Sequence, residues 1–220
     1  MATAYVGEGH ANNSASATTL ATASGVNVTT GNLIVGAMGW DSTNTTVSGI
    51  ADTAGNTFTL GTRIVSGAFN DSYITPFWCI NATGNAANIV TGTLNAAATF
   101  RRIAFAHYLG FGIGTKEDED VFNVDNGDTA ITSYTTPSLT LTGAGIIIGI
   151  AAPYSTRTMT PGGSFVERLE SGDDFGLLDF VTSSDAAVSL TFSGTTFGAL
   201  IGLSFKEAAA TARYNMLKGM

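Results

Sequence analysis

Gly31-Asn32-Leu33-Ile34-Val35-Gly36-Ala37-Met38-Gly39-Trp40 is echoed over a hundred residues later by Gly145-Ile146-Ile147-Ile148-Gly149-Ile150-Ala151-Ala152. In both stretches a branched apolar run opens after or at Gly and carries a second Gly near its middle, so that Gly36 aligns on Gly149. A short continuous apolar run of this kind, bounded by turn residues, reads as a strand buried on both faces. The segments downstream of each run repeat as well. Asn56-Thr57-Phe58-Thr59-Leu60 corresponds to Gly163-Ser164-Phe165-Val166-Glu167, Ile74–Ile80 to Leu177–Val181, and Ile89-Val90-Thr91 to Val188–Phe192. The closing strand Ile103–Leu109 matches Ala199–Phe205, small residue on small residue at Ala106 and Gly202. The sequence is therefore a degenerate duplication of a unit of about five strands.

Composition narrows the class. A chain of 220 residues can bury a sizeable core as one large β domain. Charged residues make up 12%, about half the usual quarter, so the surface is expected to be neutral and polar. The net charge of −8, with basic residues thinly scattered, gives no footprint for a phosphate backbone. Nucleic acid and anionic membrane are both excluded as expected partners. Cys79 is the one cysteine, so neither an intrachain disulfide nor a thiolate metal cage can form within the chain, and it is expected to act as a small buried apolar residue. The first residues lack the basic start and apolar core of a secretion signal, and no apolar run reaches membrane-spanning length. The Asn-x-Ser/Thr triplets at Asn12, Asn27, Asn44 and Asn81 are expected by chance in so Asn- and Thr-rich a chain.

In order along the chain, residues 1–24 read as an extended polar arm with one weak strand. Residues 25–206 read as a β-sandwich domain, with repeat units at about 28–111 and 139–206, and residues 207–220 as a short helical tail. Asp52-Thr53-Ala54-Gly55-Asn56 is the most turn-like stretch. Pro76 interrupts an otherwise two-sided apolar strand from Tyr73 to Ile80, which points to an edge or a bulge. Lys116-Glu117-Asp118-Glu119-Asp120 and Asp125-Asn126-Gly127-Asp128 belong to a long acidic connection between the units. The fold class expected is all-β, a two-layer antiparallel, jelly-roll-like sandwich with inward faces including Leu33, Val35, Phe105, Ile146, Ile148 and Ile201.

The succession of Gly31–Val35, then Asp52–Phe58, then Ile103-Ala104-Phe105-Ala106-His107-Tyr108-Leu109-Gly110 resembles a group of β-sandwich domains found in bacteriophage structural proteins and some bacterial surface proteins. The resemblance covers roughly Val28 to Phe111, and its motifs are turn and strand signatures. That group often carries an acidic residue before Tyr-x-Gly in the closing strand. This chain has His107 there, so no role tied to the acid carries over. The resemblance implies a jelly-roll-like building block of a virion or a cell-surface appendage.

Candidate chemistry is sparse. His107 shares strand parity with Ile103 and Phe105 and is expected in or beside the core, with one nitrogen hydrogen-bonded. His10 lies in the polar arm, and neither histidine comes with a Gly-x-Ser-x-Gly elbow. Glu167 with Glu170, or Asp173 with Asp174, read as solvated turn acids rather than a glycosidase pair. Asp118, Asp120, Asp125 and Asp128 offer hard oxygen ligands to calcium, without the spacing of a calcium loop. Trp40, Tyr73, Phe77 and Trp78 would suit a sugar-stacking platform or a packed core. No catalytic, cofactor-binding or metal site is expected.

The expectation is thus a non-enzymatic virion protein, a capsid decoration or cement protein that contacts the major capsid protein and copies of itself. The alternative is a tail, fibre or adhesin module binding a host-surface glycan. Tyr214, Met216, Leu217 and Met220 expose more apolar surface than a free tail favours and are the expected assembly contact.

Overall fold

The computed structural model describes residues 3–65, 72–111, 114–124, 129–153, 157–171 and 175–207. Its strands pair antiparallel throughout, and no helix occurs among the described residues. The first half contains β1 (Ala4–Asn13), β2 (Ala17–Ala21), β3 (Val26–Val28), β4 (Leu33–Asp41), β5 (Val47–Asp52), β6 (Thr59–Leu60), β7 (Ile64–Val65), β8 (Ser72–Cys79), β9 (Asn85–Asn88) and β10 (Val90–Leu109). The second contains β11 (Thr115–Val124), β12 (Ile131–Leu139), β13 (Gly145–Pro153), β14 (Met159–Pro161), β15 (Val166–Ser171), β16 (Phe175–Thr182), β17 (Ala186–Thr196) and β18 (Gly198–Lys206).

The halves share one plan. In the first, the order is β1-β10-β4-β8, with β6 and β7 on the far edge of β8, while the opening part of β10 runs between β2 and β5. In the second, β11-β18-β13-β16-β15 form one sheet and β12-β17-β14 another. The long β10 therefore fills the places of both β17 and β18. It passes from one sheet to the other at Phe100, whose φ is 46°; in the second half the matching break falls at Phe197, between β17 and β18, and Gly198, which opens β18, has φ 143°.

Alternation along the central strands fills three cores. Leu33, Val35 and Ala37 of β4 face Ile146, Ile148 and Ile150 of β13 across a core shared by the two halves. The other face of β4, with Ile34, Met38 and Trp40, packs with Val90 and Leu94 of β10. The other face of β13, with Ile147 and Ala151, packs with Val188, Leu190 and Phe192 of β17. The layers run small sheet, large sheet, large sheet, small sheet, which is why every residue from Leu33 to Trp40 and from Gly145 to Pro153 is buried. Each fully buried Leu or Ile contributes about 1.5–3 kcal/mol before ordering costs. The two-layer expectation thus describes the central pair of sheets only, and each outer face carries a further sheet.

Further expectations are corrected. The stretch read as a polar arm with one weak strand holds two strands of the domain, because Ala4–Asn13 is the edge strand of the first large sheet and Ala17–Ala21 pairs with β10. The acidic connection is likewise the edge strand β11, so the repeat units are wider than 28–111 and 139–206. Both edge strands even bulge at the same place, between Tyr5 and Gly7 and between Lys116 and Asp118. Phe105 faces the outer core rather than the central one. Gly36 pairs with Phe105 where Gly149 pairs with Gly202, so Gly202 replaces Phe105 and not Ala106. A slip of one residue reverses the face of every side chain in a strand.

Pro76 sits in β8 opposite the interruption between β6 and β7. Its carbonyl accepts the Gly61 N–H at 2.9 Å, and the N–H it lacks would have faced the same gap.

Candidate functional site

The central core ends at two matched corners, where the halves exchange side chains. Pairing registers equate Tyr5 with Lys116, Tyr108 with Phe205 and Trp78 with Asp179. Gly61 and Arg168 follow the paired β6 and β15 residues and so also correspond. At one corner the Arg168 guanidinium lies 4.5 Å over the Tyr5 ring and grips Asp179 through Nε–Oδ2 and Nη2–Oδ1 bonds of 2.7 and 3.0 Å. Tyr5 meets Tyr108 edge-on. Asp179 is buried, and its hydrogen bonds hold the guanidinium in its charged form. Burial, followed by the Asp179 charge, pushes the Tyr108 phenol well above its ordinary value.

At the other corner Lys116 stands 5.1 Å over the Trp78 ring, and Trp78 meets Phe205 edge-on. Glu119 pairs with Lys116 at 3.2 Å and accepts the Thr62 N–H at 3.0 Å. A Cβ on Gly61 would stand 2.7 Å from Cγ of Pro76 and 2.8 Å from the Glu119 carboxylate, so a larger residue there would displace one or the other. Cation and ring have changed places between the corners: the ring belongs to the first half both times, and the cation to the second.

His107 is fully buried on the outer-core face, as its parity predicts. Its Nδ1 lies 2.9 Å from Nδ2 of Asn32, while Nε2, against Gly7 of β1, has no hydrogen-bond partner, nor has Oδ1 of Asn32. Burial lowers its pKa to about 4, so the ring is neutral at pH 7. The equivalent residue of the second half is Ser204, whose hydroxyl donates to the Thr140 carbonyl at 2.6 Å.

The predicted turn is a polar knot. Asp52 accepts from the Asn56 backbone N–H at 2.8 Å, the Asn56 amide at 2.7 Å and the Asn88 amide at 2.9 Å. Asn56 then accepts the Thr83 N–H at 2.7 Å, and Gly55 takes φ 75°. Sequence patterning missed Arg101, which is buried and donates to the carbonyls of Thr19 and Ala15. Its only signal is the Arg101-Arg102 pair at the opening of the closing strand's apolar run.

Acids of the connection serve as internal acceptors. Asp118 accepts the N–H groups of Thr140 and Glu119, which draw its pKa down. Burial opposes ionisation of Glu117, but bonds from Thr142 and the Lys206 charge leave its pKa lowered. Asp125 and Asp128 lie outside the described residues, and no cluster of three metal-ligating side chains occurs among those described. Trp40, Tyr73, Phe77 and Trp78 are all buried, with Trp40 stacked on Tyr73. They form core and not a sugar platform. Cys79 is buried and free. His10 stays near Glu8 at the surface. Asp173 and Asp174 lie outside the described residues, as do Tyr214, Met216, Leu217 and Met220 and the expected helix.

Comparison of the chain with protein-family models, with curated proteins and with solved structures finds no match in any of the three.

Proposed function

We propose that this chain is a non-enzymatic structural component of a bacteriophage virion, a decoration or cement protein on the head surface, partnered by the major capsid protein and by copies of itself. The observation that carries the reading is the use made of its polar side chains. Asp52, Asp118, Arg101, Asp179 and Ser204 are each committed to hydrogen bonds that tie strands or halves together. Groups so engaged hold a shape, whereas catalysis needs a group free to meet a substrate.

The resemblance of Gly31–Val35, Asp52–Phe58 and Ile103–Gly110 to phage sandwich domains gives that shape a setting, and a jelly-roll-like kinship belongs to the same proposal. The glycan-binding alternative loses its ring platform, because the four aromatics proposed for it are buried. The tail from Glu207 onward starts beside the first strand, since Thr3 donates its N–H to Glu207 at 2.8 Å. Tyr214, Met216, Leu217 and Met220 are the proposed contact with the particle. The test is binding to purified heads that lack the protein, with full-length chain and with a chain ending at residue 211. Saturable binding that weakens at least about tenfold on truncation, a loss of about 1.4 kcal/mol, supports the proposal. No binding of the full-length chain to any head surface overturns it.

A further inference from the structure

Beneath the two edge strands, on the face toward the outer core, the halves differ at one matched position. Gly7 of β1 pairs with His107 of β10, where Asp118 of β11 pairs with Ser204 of β18. In the second half both polar side chains are engaged, since the Ser204 hydroxyl donates to the Thr140 carbonyl at 2.6 Å and Asp118 accepts the Thr140 N–H at 2.7 Å. In the first half the imidazole is fully buried, and its Nε2 has no partner among the described residues. That nitrogen meets a strand with no side chain to offer. A Cβ on Gly7 would stand 3.0 Å from Nε2 and 3.6 Å from Val26, and one on Gly9 would stand 2.7 Å from the Phe105 ring. β1 thus shuts His107 off from water with bare backbone.

We infer that β1 is an acid-released strand: proton uptake by His107 opens β1 from β10 while the rest of the domain stays folded. The strand is weakly held at that point. It is the edge of its sheet, and on this face it sets Gly7, Gly9 and Ala11 against β10, so little apolar surface is lost when it leaves. A charged ring also finds no counter-charge around it. Glu8 and His10 of β1 lie on the opposite face, β3 brings Val26 and Val28, and β9 carries no titratable residue. Asn32 and Ile34 flank the ring from the β4 side; beyond Ile34, burial raises the pKa of the Cys79 thiol and keeps it neutral, and Asp52 is bound by Asn56 and Asn88. Asn32 can turn its unpartnered Oδ1 to accept a new Nδ1–H, but the Nε2–H of the cation still faces Gly7 without an acceptor. A buried charge left unpaired is costly, and lifting the glycine backbone brings water to it. Tyr5 and Thr3 anchor the start of the strand and Arg101 holds the Ala15 carbonyl beyond its end, so the opening centres on Gly7 and Gly9.

The test is hydrogen exchange of the full-length chain, read by mass spectrometry at pH 8 and pH 5, with each rate divided by the intrinsic rate at that pH. With a ring pKa of about 4 when covered and about 6.5 when exposed, the open fraction of β1 is expected to rise about thirtyfold between the two conditions, and peptides within residues 4–13 lose that much protection. β11 serves as the matched control, because hydrogen bonds lower the pKa of Asp118 and leave it ionised at pH 5. It is expected to keep its protection, as is β4. His107→Ser copies Ser204 and His107→Leu fills the site with an apolar group, so both remove the titration; whichever variant folds is expected to show the same β1 protection at both pH values. Equal losses in β1 and β11 overturn the inference. So does a loss shared by β4, which would mark unfolding of the whole domain, and so does a thirtyfold rise that persists in a folded His107 variant.

Discussion

β1 and β11 hold the same position in the two halves, bulge at the same residue and share almost no sequence. β4 and β13 also correspond, and their likeness is visible at once. An edge strand needs to satisfy a ladder on one side only, and half its side chains meet water, so many sequences serve. A central strand between two cores has no such freedom, since both faces must be apolar and close-packed. Divergence has therefore collected at the edges and corners, where Tyr5 has become Lys116 and Trp78 stands opposite Asp179 by descent of the same backbone position.

Unequal effects at the two corners would expose that divergence. Trp78→Ala removes a large buried ring from the central core and the seat of Lys116, and is expected to cost about 4 kcal/mol in denaturant unfolding. Asp179→Ala at the matching position removes few atoms but strips Arg168 of its carboxylate. The expected loss is about 3 kcal/mol, because a broken buried pair leaves its other charge uncompensated. Equal small losses would mean that the corners are only loosely packed.

Next in size is a difference with pH. His107 has a folded pKa near 4 and an ordinary unfolded value near 6.5, so between these the unfolded chain binds more protons. Stability contributed by the neutral ring is full above pH 6.5 and is lost as pH falls toward 4, about 3 kcal/mol in all. Charges near the ring do not offset this. Glu8 of β1 lies on the opposite face by register, Cys79 is two strands away, and Asp52 is engaged in its knot. His107→Ser, which copies Ser204, should flatten this arm of the stability profile while carboxylates such as Asp118 still titrate below it. An unchanged acid arm in the variant would place its cause elsewhere.

These residues also mark what the sequence reveals. The apolar runs at Leu33 and Ile146 announce two-sided burial, because composition alone separates them from half-wet strands. The correspondence of Phe58 with Phe165 holds in the register of β6 and β15. The closing strand resists because a match by residue size, Ala106 on Gly202, competes with the true one by only one position, and nothing local decides between them. Residues 4–21, 115–124 and 131–139 look like arm and linker because their partners lie from about 50 to about 105 residues away or because they are sheet edges with no apolar periodicity. The corners are beyond reach for the same reason: Arg168 and Tyr5 are meaningful only once two sheets are stacked.

The smallest difference expected is between two threonines that the duplication has kept alike. Thr22 and Thr136 are buried, and each hydroxyl accepts a buried backbone N–H, from Val90 at 3.3 Å and from Val188 at 3.0 Å. Thr→Val keeps the shape and removes the acceptor, leaving that N–H without a partner, which costs about 1–3 kcal/mol. Thr136 also donates its proton to the Pro137 carbonyl at 2.8 Å, so two groups lose a bond there. Thr136→Val should therefore be the costlier by about 0.5–1 kcal/mol, the net worth of one hydrogen bond. The sites lie in different outer cores, so the double variant should equal the sum within about 0.5 kcal/mol. A deficit well beyond the sum would mean that the halves communicate through the central core, and that the outer sheets are less independent than their separate packing implies.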